Sequence, residues 1–141
     1  MSAFDPAAVR AGDVLPPLTL TITRGGIVRY AGASTDFNPI HWSDCKAREL
    51  GLPGVLAHGM WTMGAAVQVV TDWVGDAGRI VDYGTRFTKP VVVPHGAGAE
   101  IAVAGVVKSL AEQTREATVE LTVTCGDDKV LGRCRAVARL D

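Results

Sequence analysis

Neither sign of charge is in excess in this sequence. Lys+Arg total 14 and Asp+Glu 15 among 141 residues, a formal net charge of −1. So balanced a chain has no general electrostatic reason to bind nucleic acid or an anionic membrane. A basic start followed by an apolar run is also missing. The opening stretch MSAFDPAAVRAGDVLPP has an early acid and closes on two prolines, so no signal peptide is expected. No apolar run reaches membrane length: the longest, from Gly59 to Val74, is interrupted by Thr62, Gln68, Thr71 and Asp72. Cysteine is sparse. Cys45, Cys125 and Cys134 form no CxxC pair, which favours reduced thiols in a cytoplasm, packed as small buried or half-buried side chains. Low-complexity tracts, internal repeats and long linkers are absent too. What remains is the expectation of one compact cytoplasmic domain over residues 1–141, with no membrane or nucleic-acid partner and 48% hydrophobic residues to build a core.

Hydrophobic periodicity sets out the elements. In VLPPLTLTI, Leu18, Leu20 and Ile22 alternate with threonines, which predicts a first strand. TRGGIVRYAGAS predicts a short helix capped by Thr23. SDCKARELG predicts a second, with Ser43 or Asp44 at its start and Gly51 at a left-handed stop. HGMWTMGAAVQVVTDWVG predicts one long helix, apolar on nearly every side, as suits the centre of a domain. Gly64, Ala65 and Ala66 leave room for a close neighbour. The second half turns to period two. ATVELTVTC points Val119, Leu121, Val123 and Cys125 one way, and GDDK predicts a hairpin turn. VLGRCRAVARL returns with Gly132, Cys134, Ala136, Ala138 and Leu140 on one face and Arg133, Arg135 and Arg139 on the other. YGTRFTKPV and EIAVAGVVKS bring the count to five strands. The expected fold class is α+β, an antiparallel sheet wrapped around one long central helix. So small a sheet cannot cover such a helix completely, which predicts a dimer.

The stretch that carries chemistry is STDFNPIH, residues 34–41. Asp36 and His41 stand five positions apart. On a helix their side chains would diverge by roughly 140°, and on a strand they would take opposite faces. Pro39 suits neither element and biases Asn38 toward an extended conformation. DFNP is therefore a turn in which Asp36 and His41 can converge, with Asn38 bonding its own backbone. Further on, AHGM sets Gly59 at the start of the long helix. A helix N-terminus offers unpaired N–H groups, and a glycine there lets a carbonyl oxygen approach closely. The plainer alternatives are a surface turn and a glycine that merely eases entry to the helix.

Together these residues carry a resemblance. YAGASTDFNPIHWSDCKARELGLPGVLAHGMWTMG is similar to the hydratase motif of the MaoC-like, (R)-specific enoyl-thioester hydratases and dehydratases. Within that family it looks most like the catalytic β-subunit of (3R)-hydroxyacyl-ACP dehydratases of the mycobacterial type. The matching residues are Tyr30, Asp36, Asn38, Pro39, Ile40, His41, Ala57, His58, Gly59 and Met60. DWVGDAG, RFTKPVVVP and VLGRCRAVARL resemble later segments. The resemblance implies a hotdog fold working as a dimer, with a second copy or a different hotdog subunit, on an acyl thioester of ACP or CoA. It implies no cofactor and no metal. Asp36 and His41 become the catalytic acid/base pair, the Gly59 amide becomes the oxyanion hole, and Asn38, Tyr30, Ser34 and His58 shape the site.

The implied reaction is dehydration of a (3R)-hydroxyacyl thioester, or hydration of the enoyl product, in fatty-acid, mycolate-like or polyketide elongation. The alternatives are a hotdog acyl thioesterase and an acyl-CoA hydratase of a degradation pathway. A metal held by Asp36, His41 and His58 would lack the tight ligand spacing of a zinc site. Two positions depart from the family pattern: Thr35, where many relatives have glycine, and Val67, where some acyl-CoA hydratases have serine. Arg133, Arg135 and Arg139 either meet the phosphate of a carrier arm or an acidic carrier surface, or form a solvated outer face. Trp42, Trp61 and Trp73 read as core or interface residues and His95 as a loop residue.

Overall fold

The computed structural model describes residues 4–141; the first three, which open the stretch read as lacking a signal peptide, lie outside the described residues. Five strands form one antiparallel sheet: β1 (Leu18–Ile22), β2 (Ile80–Phe87), β3 (Ala99–Ala111), β4 (Glu116–Cys125) and β5 (Asp128–Arg139). Their order across the sheet is β1-β3-β4-β5-β2, which leaves β1 and β2 as edges. Period-two patterning explains β4 directly, since Ala117, Val119, Leu121 and Val123 are all buried.

β5 departs from strict alternation. Leu121 pairs with Cys134 and Val123 with Leu131, so β5 spends one more residue than β4 over the same length. This is a β-bulge, and Arg133 sits in it with φ +49°. The bulge resets the inward face: Val130 and Leu131 are buried where alternation alone assigned Gly132, while Cys134, Ala136 and Ala138 keep their inward places.

Caps bound the short helices. α1 (Arg24–Ser34) starts where Thr23 Oγ1 accepts from the Gly26 N–H at 3.1 Å. α2 (Asp44–Glu49) starts at Ser43, whose hydroxyl accepts from the Lys46 N–H at 3.3 Å, and beyond it Gly51 has φ +72°. The central helix lies against the sheet as expected, but in two segments, α3 (Gly59–Ala66) and α4 (Gln68–Val74). At the joint the Val67 N–H turns to the Ala65 carbonyl instead of that of Met63. The Met63 carbonyl accepts from Tyr83 Oη–H at 2.7 Å instead. A side chain from β2 thus enters the helical ladder, a recognised cause of a break.

The two segments bury one side only. Thr62, Ala66, Val69, Val70 and Val74 pack inward, while Met60, Gly64, Gln68 and Asp72 form an outward stripe. As expected for so small a sheet, the chain by itself leaves one side of the helix uncovered: Met60 on α3 is exposed, as are Val81 and Phe87 on β2. Trp61 and Trp73 are half-buried against the core; Trp42 is exposed and so is not a core residue of this chain by itself, and Cys45 is exposed, contrary to its expected burial. Entry to β3 depends on Gly98, at φ +75°, where a Cβ would collide with the Ile22 carbonyl oxygen. Among the described residues, no helix is long and apolar enough to cross a membrane.

Candidate active site

The turn after α1 is built from alternating residues. Ser34 Oγ accepts from the Asp36 N–H at 3.3 Å, and Asp36 Oδ1 accepts from the Asn38 N–H at 3.2 Å. Asn38 Oδ1 then accepts from the Ile40 N–H at 3.2 Å and caps the 3-10 turn Pro39–His41. Ser34 also donates to the Tyr30 carbonyl at 2.8 Å, which ties the run to the end of α1. One oxygen of Asp36 thus holds the backbone, and Oδ2 is left to face the imidazoles.

The structure brings Asp36, His41 and His58 together. Asp36 Oδ2 lies 3.8 Å from His41 Nε2 and 4.0 Å from His58 Nε2. The first gap is too long for a hydrogen bond, yet one oxygen atom placed to its side would reach both groups at about 2.8 Å. His41 is buried, and its Nδ1–H donates to the Leu56 carbonyl at 2.8 Å. With Nδ1 as donor, the neutral ring presents the Nε2 lone pair toward Asp36.

His58 is committed differently. Its Nε2–H donates to the Asp36 carbonyl at 3.0 Å, which leaves Nδ1 as a buried acceptor without a partner. Its ring stacks on His41 with centroids 3.7 Å apart and meets the edge of Tyr30 at 4.9 Å. His58 therefore fixes the Asp36 backbone and the plane of His41. Oxygen and nitrogen atoms of Asp36, His41 and His58 lie within 4.8 Å of one another. Of the three, His58 Nε2 is already engaged with the Asp36 carbonyl.

Gly59 opens α3 and shares a cavity of about 370 Å³ with His41. Its N–H lies in the first helical turn, where no intrahelical acceptor exists. A Cβ at Gly59 would stand 3.0 Å from the Phe87 ring, so only glycine leaves this backbone uncovered on that side. The other walls are mainly apolar, with Leu56, Ala57, Val91, Val130 and Leu131 among them, and Lys89 is one of the few charged groups. Asp36 stands beside the cavity with its side chain 52% exposed.

Some of the site carried no sequence signal. Leu56 acts through a backbone carbonyl, which any residue possesses. Phe87 to Val91 approach Gly59 only because β2 ends beside the start of α3. The arginines of β5 lie elsewhere, on the outer face of the sheet, where Arg135 Nη2 stands 3.9 Å from Asp82 and Lys108 pairs with Glu120 at 3.3 Å. That mixture of charges matches the solvated-face alternative. His95 is more than a loop residue: its Nε2–H donates to Asp44 at 3.0 Å. Arg24 and then His95 hold the Asp44 carboxyl well below the usual carboxylate range.

Comparison with known proteins adds four findings. Residues 8–125 match the MaoC like domain family. The 3-hydroxyacyl-thioester dehydratase X of Mycobacterium tuberculosis is 41% identical over 87 residues, covering 62% of this chain and 30% of the relative. A solved MaoC-like dehydratase superposes with a TM-score of 0.93 at 38% identity, over 96% of this chain and 42% of its own. A chain of the ChsH1-ChsH2 complex from Mycobacterium tuberculosis does so with a TM-score of 0.78 at 24% identity, over 92% of this chain and 98% of its own. The sheet wrapped on its helix is thus the hotdog arrangement. The chain spans less than half the length of the first two of these proteins.

Proposed function

The chain belongs to the MaoC-like family, and from that membership we propose that it is a (3R)-hydroxyacyl-thioester dehydratase, or in reverse an (R)-specific enoyl-thioester hydratase. The observation that carries the proposal is the unbridged pair itself: Asp36 Oδ2 and His41 Nε2 at 3.8 Å, with Nε2 turned toward Asp36 by the bond from Nδ1–H to the Leu56 carbonyl. A pair bonded directly to each other would have no capacity left for a substrate. A pair at this spacing can hold the β-hydroxyl, or a water, between them.

In the dehydration direction the pair takes one proton from Cα and returns one to the departing β-oxygen, so the protein ends with the protons it began with. The Cα–H and Cβ–O bonds break, a Cα–Cβ double bond forms, and water leaves. The thioester oxygen gathers negative charge on the way. The free Gly59 N–H, at the positive end of α3, is the group we assign to stabilise it. Ser34 and Asn38 shape the turn, and Tyr30 and His58 set the plane of His41. The apolar walls of the cavity suit an acyl chain. We infer further that residues 1–141 form one hotdog unit that works beside a second, which covers the exposed Asp36 and Met60.

The test is turnover of a 3-hydroxyacyl thioester, followed by the absorbance of its enoyl product. Asp36→Asn and His41→Ala are each expected to lower kcat at least about a hundredfold without unfolding the protein. Near-normal turnover in both variants would remove the assignment. Release of free thiol without enoyl formation would favour a thioesterase.

A further inference from the structure

His41 is held by bonds that lead back to an ion cluster on other elements. Its ring donates to the Leu56 carbonyl, and the Leu56 N–H donates to the Ile40 carbonyl at 3.1 Å. Segment 55–57 takes its own position from segment 91–93. The Ala57 N–H donates to the Val91 carbonyl and the Val93 N–H to the Val55 carbonyl, each at 2.8 Å. Arg24 Nε–H then donates to the Val93 carbonyl. The rest of the Arg24 guanidinium forks onto Asp44, at 3.0 Å from Oδ2 and 2.8 Å from Oδ1. Asp44 opens α2, immediately after the turn that carries His41. The bonds close a ring that starts and ends at His41.

Packing anchors these backbones as well, since Val55, Ala57, Val91 and Val93 are buried in the core. Segments 55–57 and 91–93 lie outside the five-stranded sheet and share one isolated bridge, Leu56 with Val92. The Arg24–Asp44 pair has the geometry to hold them. It is bidentate and partly buried, with side chains 18% and 34% exposed. A fork of this kind sets direction as well as distance. The Lys46–Glu49 pair on the same helix is a single contact between side chains more than half exposed.

We propose that Arg24 and Asp44, steadied by His95, are positioning residues that keep His41 Nε2 aimed at the reacting atoms. They touch no substrate and act through Leu56 and the turn. The effect is large enough to measure, because a misplacement of about 1 Å costs up to about a hundredfold in rate.

The proposal rests on the acid/base role given to His41, so the experiment reads the ring as well as the turnover. Asp44→Asn and Arg24→Met are each expected to lower kcat about tenfold with KM within about twofold. The double variant is expected to be no worse than the poorer single one, because the pair acts as a unit. By NMR, the His41 Nδ1–H proton should be slow to exchange in the native protein and fast in both variants. Lys46→Ala should leave kcat and that proton unchanged. A folded Asp44→Asn with native kcat and a native His41 proton overturns the proposal. So does a double variant whose loss is the product of the single losses. If Asp44→Asn does not fold, Arg24→Lys keeps the charge without the fork and is read in the same two ways, with the same overturning result. If the native protein turns over no acyl thioester, the functional reading fails while the His41 proton still tests the ring.

Discussion

Thr35 stands where α1 must reverse into the turn that carries Asp36, with φ +60° and ψ 14°. This is the left-handed region, which a β-branched residue enters at a cost of roughly 1–2 kcal/mol. Its hydroxyl bonds the Ser34 carbonyl at 2.7 Å, an exposed contact worth little. The cap needs a conformation that glycine reaches freely. Thr35→Gly is therefore expected to hold or raise stability, by up to about 1 kcal/mol, with turnover unchanged. A drop in melting temperature of several degrees would show that Thr35 is held by something other than backbone conformation. At this scale the sequence was informative where chemistry depends on residue type. Asp36, His41 and Gly59 could be singled out from Pro39 and from the start of a helix. Leu56 could not, because its part is played by a carbonyl.

The break at Val67 is a property of elements in contact. The stretch from Gly59 to Val74 contains no proline and reads as one helix. It divides because Tyr83 of β2 reaches the Met63 carbonyl, a contact that spans twenty residues. Burial pushes the Tyr83 phenol up from its ordinary value, with the Cys134 thiol contributing, so the group is a donor at any working pH. Tyr83→Phe leaves the Met63 carbonyl without that donor and is expected to cost about 1–2 kcal/mol. Urea denaturation checks this: a midpoint equal to that of the native protein would mean that the ladder re-forms through Val67 at no loss. The bulge in β5 has the same character. Its alternating residues predict a regular strand, yet the pairing of β4 with β5 requires one extra residue near Arg133.

At the scale of the molecule, the apolar balance of the chain is incomplete. Met60 and Phe87 are exposed beside the cavity, Val81 is exposed on β2, and β2 is an edge strand with unpaired backbone groups. Exposed apolar surface of this kind, next to an open edge, is what a partner covers. We expect the protein to associate with a second hotdog unit, a copy of itself or a different subunit. Val81→Glu should weaken that association and lower turnover with it, as read by light scattering and by the enoyl-product assay. A native protein that is monomeric and fully active would exclude the idea.

Periodicity and caps are local, so the five strands, the two short helices and much of the core were legible in the sequence, though not the inward face of β5 at its bulge. The sheet wrapped on an apolar helix followed from them, because apolar faces must meet. Pro39 likewise determined that Asp36 and His41 sit in a turn and not on a regular element. Only the tertiary structure decided how far apart they stand, which nitrogen of His41 is free, and which side of the central helix remains open. Those facts depend on the Leu56 carbonyl, on Tyr83 entering a distant helix and on Arg24 gripping Asp44. Each is a contact between residues far apart in the chain, and no local pattern encodes it.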